Sequence, residues 1–64
     1  VIINGEELNF SENLTVSELL AKLNLDSNKV VVEVDLEIIG KEEYSSRNLS
    51  SDSKVEIIRF VGGG

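Results

Sequence analysis

One stretch, Leu14 to Leu25, carries a helical repeat, and it sits between segments that alternate. Val16, Leu19, Leu20 and Leu23 fall at i, i+3, i+4 and i+7, one apolar stripe on a helix. The start of that helix is marked twice. Thr15 with Glu18 three positions on forms a capping box, and Leu14 and Leu19 occupy the two positions of a hydrophobic staple. Asn24 is a stop signal, after which Leu25 is expected to tuck under the helix end. A helix this short is marginal in water unless its stripe packs on something. The rest of the chain must therefore supply a surface for it to lie on.

The flanking segments read as strands. Val1-Ile2-Ile3 is β-branched, and Asn4-Gly5 is the strongest short hairpin signal, because a type I′ turn needs positive φ at both central residues. Glu6 to Phe10 returns as the second strand, with Leu8 and Phe10 on one face and Asn9 on the other. That face is the surface available to the helix. Ser11-Glu12-Asn13 breaks the pattern before the helix, and Asp26-Ser27-Asn28-Lys29 is a polar connector after it. Val30 to Val34 is the next strand, with Val30, Val32 and Val34 on one side. Asp35 interrupts, and Leu36 to Ile39 reads as a short further strand ending at Gly40. Lys41 to Ser53 is polar apart from Tyr44 and Leu49, which predicts a loop with one helical turn pinned to the core by those two residues.

Lys54 to Phe60 is the last strand. Val55 and Ile57 share one face, and Glu56, Ile58 and Phe60 share the other. A single helix covers one face of a small sheet, so Val55 and Ile57 are expected inward and Ile58 and Phe60 outward. The predicted class is α+β: a mixed sheet of four to five strands with one helix packed on one face. There is no repeat and no linker, so residues 1–64 read as a single domain.

Sixty-four residues lie near the lower limit for a chain that folds on one hydrophobic core. A domain this small buries only about 60% of the surface its unfolded chain exposes. With no cysteine, neither disulfides nor thiolate-bound metal can help. The chain also lacks histidine, so the usual neutral-pH base and the best nucleophile are both missing. An independent enzyme is not expected, nor is a metal site or a bound cofactor. Twelve acidic and six basic residues give a formal charge of −6. That balance argues against nucleic acid and against an anionic membrane surface, and it favours a basic protein partner. No apolar run approaches the ~20 residues of a membrane span, and no signal-peptide pattern opens the chain. The expected compartment is cytoplasmic.

The last strand runs into Val61-Gly62-Gly63-Gly64. Glycine gives up the most backbone freedom on ordering, so a run of three resists folding. From the residues alone two readings stand open. The run is either a thin tether that presents the Gly64 carboxylate in a channel too narrow for any Cβ, or a frayed end of no consequence.

Three stretches then resemble a known family: Asn4-Gly5-Glu6, Thr15-Val16-Ser17-Glu18-Leu19-Leu20, and Val55-Glu56-Ile57-Ile58-Arg59-Phe60-Val61-Gly62-Gly63-Gly64. Together with the length and element order they resemble the ubiquitin-like β-grasp fold and, within it, the ThiS sulfur carriers of thiamine biosynthesis. The chain departs from that pattern in three places. The family commonly has Asn-Gly where Asp35-Leu36 stands, often a proline near Gly40, and often tryptophan in place of Tyr44.

The resemblance implies a substrate protein and not a catalyst. A ThiF-like adenylating enzyme, using ATP and magnesium, would convert the Gly64 carboxylate to an acyl-adenylate. Sulfur relayed from a cysteine desulfurase would displace AMP to leave a thiocarboxylate, which a ThiG-like thiazole synthase would consume. Gly62 and Gly63 would be the channel tether, and Ile58, Phe60 and Val61 a partner-binding patch. The carrier alone would be monomeric. A main-chain carboxylic acid with a pKa of about 3.3–3.7 is ionised and unreactive at neutral pH, which is why outside activation is needed. Competing readings are the small subunit of molybdopterin synthase, a ubiquitin-like modifier attached to lysines, and a plain interaction module.

Overall fold

The strand nearest the glycine run lies in the middle of the sheet. The computed structural model describes residues 1–10 and 13–60. In chain order the elements are β1 (Ile2–Ile3), β2 (Glu6–Glu7), α1 (Val16–Lys22), β3 (Val30–Val34), β4 (Glu37–Ile39) and β5 (Lys54–Arg59). The sheet order is β2-β1-β5-β3-β4. β5 runs parallel to β1 and antiparallel to β3, and the two flanking pairs are antiparallel hairpins. The sheet is therefore mixed and five-stranded, with one α-helix, as the α+β reading requires.

The first hairpin has the expected turn: Asn4 at φ 51° and Gly5 at φ 83°, joining the pair Ile3 and Glu6. Its second strand is shorter than the sequence suggests. Pairing ends with the Leu8 N–H bonded to the Val1 carbonyl at 2.9 Å. Leu8 and Phe10 then pack, half-buried, against the core.

The core is built from the expected faces. Val16, Leu19 and Leu20 of α1 join Val30, Val32 and Val34 of β3 and Val55 and Ile57 of β5 in one buried cluster. At roughly 1.5–3 kcal/mol for each large apolar side chain taken from water, this cluster dominates the stability. The helix thus lies over the central strands, with Leu8 and Phe10 at the margin; the hairpin face alone is not its platform. Leu23, the last residue of the stripe, is only half-buried.

Both helix ends are closed. The Thr15 Oγ1 accepts from the Glu18 N–H at 3.2 Å, and Glu18 Oε1 accepts from the Thr15 N–H at 2.9 Å. The N–H groups of Val16 and Ser17 are taken by the carbonyls of Arg47 (3.1 Å) and Tyr44 (2.8 Å). The 41–53 segment therefore does more than insert Tyr44 and Leu49, both buried, into the core. It also supplies acceptors to the helix start. At the other end Asn24 adopts φ 58°, the Asn24 N–H reaches the Ala21 carbonyl, and the Leu25 N–H reaches the Leu20 carbonyl. That pair of bonds is a Schellman closure with asparagine in the left-handed position.

Leu36 departs from the sequence reading. It is the second residue of a two-residue turn, at φ 71°, with Asp35 at φ 50° and Val34 paired with Glu37. The interruption at Asp35 extends one residue further than its polarity indicates, because a two-residue turn restores the alternation needed to bury Ile39 opposite Val32. No helix among the described residues is long and apolar enough to cross a membrane.

Candidate functional site

The candidate site is the far end of β5, where the chain leaves the sheet. Val30 pairs with Arg59, and the Phe60 N–H then donates to the Lys29 carbonyl at 3.0 Å. The backbone is held in the sheet until one residue before Val61. Leu25, Asp26, Lys29, Val30, Arg59 and Phe60 line a shallow depression there, so two cations and one carboxylate flank the point of departure.

β5 is held there from the other side by an unusual bond. The Asn4 side chain lies alongside Ile57: its Oδ1 accepts from the Ile57 N–H at 2.8 Å, and its Nδ2 donates to the Ile57 carbonyl at 3.3 Å. A side chain in the hairpin turn thus replaces the next residue of β1, whose pairing with β5 extends only to Ile3 and Val55. The sequence shows Asn4 as a turn former, and nothing in its neighbours reveals this second role.

Ile58 and Phe60 are 55% and 51% exposed, on the side that strand parity assigns them. Val61, Gly62, Gly63 and Gly64, the rest of the expected patch, tether and reactive end, lie outside the described residues. The structure adds apolar residues that the sequence reading did not single out. Leu36 and Ile38 are 91% and 68% exposed, and Val31 is half-buried. Val31 faces away from Val30, Val32 and Val34, so period-two alternation along β3 could have flagged it. Among the described residues no group of three or more His, Cys, Asp or Glu side chains is placed to hold a metal ion.

A family model described as the ThiS family matches residues 1–64. This chain belongs to the ThiS family. The sulfur carrier protein ThiS of Bacillus subtilis is 40% identical over 63 residues, covering 97% of this chain and 96% of that protein. A thiazole synthase of Paramagnetospirillum magneticum is 48% identical over 64 residues, all of this chain but only 20% of the synthase. This chain therefore spans about a fifth of that relative and nearly the whole of the Bacillus carrier. Among solved structures, the crystal structure of the thiamine biosynthesis protein ThiS from Geobacter metallireducens superposes with a TM-score of 0.81 at 30% identity, covering 98% of this chain and 96% of that one. The ThiS family comprises sulfur carriers of thiamine biosynthesis, and the β-grasp sheet described above is the fold this member shares with its solved relative.

Proposed function

We propose that this ThiS-family protein carries sulfur on Gly64 for assembly of the thiamine thiazole ring. The supporting observation is its nearly full-length correspondence with the Bacillus carrier, with Gly62-Gly63-Gly64 separated in sequence from the central strand by Phe60 and Val61 alone. An adenylating enzyme supplies ATP and magnesium. A Gly64 carboxylate oxygen attacks the α-phosphate, pyrophosphate leaves, and an acyl-adenylate forms. The outer sulfur of a persulfide relayed from a cysteine desulfurase attacks the acyl carbon and AMP departs. A thiol reductant then cleaves the S–S bond of the resulting acyl disulfide, the thiols being oxidised to a new disulfide. The product is a thiocarboxylate whose sulfur passes to thiazole synthase. Because the unbranched Gly62 and Gly63 carry no Cβ, the reacting carbon can be approached along a narrow channel.

The chain's own residues position that end and perform no chemistry of their own. The bonds from β1, β3 and Asn4 fix β5, so Phe60 forms a firm base for the tether. Ile58 and Phe60, with Val61, give the adenylating enzyme an apolar grip, while the −6 charge speeds encounter with a basic partner. The protein is a monomeric, cytoplasmic co-substrate in this reading.

The test is an intact-mass spectrum of the protein after incubation with ATP, the adenylating enzyme and a sulfur source. A shift equal to sulfur replacing oxygen is expected. The shift is lost when the chain is extended by one residue past Gly64 or when the terminus is amidated, with thermal unfolding unchanged. An extended chain that still becomes linked to AMP would overturn the reading. Gly63→Ala is expected to slow the conversion and leave unfolding unaltered, because the added methyl obstructs the channel.

A further inference from the structure

The carboxamide that ties the first turn to β5 stands next to a glycine. An asparagine followed by glycine is open to attack by its own backbone, because Gly5 has no side chain to crowd its nitrogen and lets the chain bend toward Asn4. No other asparagine in the chain has this neighbour. Asn9 precedes Phe10, Asn28 precedes Lys29, and Asn13, Asn24 and Asn48 each precede a leucine.

The surroundings permit that attack, and the side chain's own bonds oppose it. Asn4 and Gly5 are both exposed, so water reaches the turn, and nothing lies within 4 Å of where a Cβ on Gly5 would stand. The carboxamide, however, is tied at both ends to Ile57, a buried residue of β5. Its Oδ1 accepts from the Ile57 N–H at 2.8 Å, and its Nδ2 donates to the Ile57 carbonyl at 3.3 Å. To close on the Gly5 nitrogen, the Asn4 Cγ has to turn away from β5 and give up both bonds.

We propose that Asn4 is a latent deamidation site, kept unreacted by its two bonds to Ile57 and consumed when that contact opens. The Gly5 nitrogen gives its proton to solvent base and bonds to Asn4 Cγ. The Cγ–Nδ2 bond breaks, and ammonia leaves with a proton taken from water. The product is a five-membered succinimide. Water then opens the ring at the Cγ–nitrogen bond to give aspartate, or at the bond from the Asn4 main-chain carbonyl carbon to the same nitrogen to give isoaspartate. The net change is one water in and one ammonia out, with no oxidation or reduction. Nothing in this chemistry requires the sulfur-carrier reading.

Either product damages the lock that restrained it. In aspartate one carboxylate oxygen still accepts from the Ile57 N–H, but the other faces the Ile57 carbonyl, oxygen against oxygen, with no donor between them. In isoaspartate the main chain gains a methylene and the free carboxylate sits one carbon closer to it, so the reach to Ile57 is lost. The reaction also adds a negative charge to a chain already at −6. It is a one-way loosening of β5 on its β1 flank, and β5 is the strand that leads to the glycine run.

The test incubates the full chain in mildly alkaline buffer and follows deamidation by intact mass, with peptide mapping to locate it. In urea that unfolds the protein, Asn4 is expected to react first among the asparagines, and at least about tenfold faster than in the folded protein. At lower urea its rate should rise in step with hydrogen exchange at the Ile57 amide, whose N–H is released when its bond to Asn4 opens. In unfolding urea, Gly5→Ala should react about tenfold more slowly than wild type, since the added Cβ crowds the attacking nitrogen. Asn4→Asp, which carries the aspartate product from the start, should unfold at lower urea than wild type at neutral pH. Equal rates in folded and unfolded protein would overturn the inference, as would a different asparagine reacting first or no effect of Gly5→Ala. So would a rate that stays flat while the Ile57 amide opens, because the turn backbone and not the two bonds would then be the restraint. An Asn4→Asp variant as stable as wild type would show that the lock survives the reaction, and the loosening would be wrong.

Discussion

The two hairpin turns of this protein have the same backbone shape and opposite chemistry. Asn4-Gly5 and Asp35-Leu36 both join strands through two residues at positive φ. The first uses the residues that tolerate that conformation best. The second puts a leucine there, fully in solvent, where its Cβ crowds the following carbonyl and costs about 1–2 kcal/mol. The first turn is made by its own sequence. The second is imposed from outside: the Asp35 N–H donates to the Lys54 carbonyl at 2.8 Å, and Asp35 Oδ1 accepts from the Lys54 N–H at 3.0 Å. Burial of Val34 and Ile39 on either side then leaves two residues to close the gap. A turn can therefore be specified by its residues or by what it must connect, and only the first kind is visible locally.

Substitutions can break that contrast, beginning with the largest effect. Asn4→Ala should cost about 2–3 kcal/mol, because it places an alanine at positive φ and leaves both polar groups of Ile57 without partners. A loss below half that in urea titration would mean that the Asn4 side chain contributes little beyond turn geometry. Asp35→Ala should cost about 1 kcal/mol through the lost acceptor for Lys54. Gly5→Ala should also cost about 1 kcal/mol, purely from backbone strain, since a Cβ there meets nothing within 4 Å. If Asp35→Ala proves neutral, the Asp35 carboxylate does not hold the second turn, and the backbone bond from the Asp35 N–H to Lys54, with burial of Ile39, must close it. The smallest change carries the opposite sign. Leu36→Gly should stabilise by about 0.5–1 kcal/mol, the relieved strain being partly offset by the greater freedom of glycine in the unfolded chain.

The same distinction explains what could be read from the sequence. The helix was legible in detail because its signals are local: cap, staple, stripe and the Asn24 stop all lie within a dozen residues. The β3 and β5 faces were legible because alternation fixes side, and Ile58 and Phe60 emerge exposed as parity requires. What could not be read depends on residues far apart in sequence. The second strand pairs no further than the Leu8 N–H, which meets the Val1 carbonyl, and Leu36 leaves β4 because the register of Ile39 with Val32 demands it. Asn4 reaches Ile57 across 53 positions. The cross-strand pairing of Glu33 with Glu56 likewise exists only once β3 is laid against β5, so the open face of the candidate site could be read in part, and its charge pattern not at all.

The central position of β5 has a mechanical consequence. Whatever draws on the chain beyond Phe60 pulls along a strand bonded on both flanks, parallel to β1 and antiparallel to β3. The load falls in shear on the hydrogen bonds of both flanks together, and they cannot open one at a time as in an edge strand that peels. Under the proposed function, a partner that drew the glycine run into a tight channel would meet a body that yields late, so its pull would be spent on seating the proposed reactive end and not on unravelling the carrier.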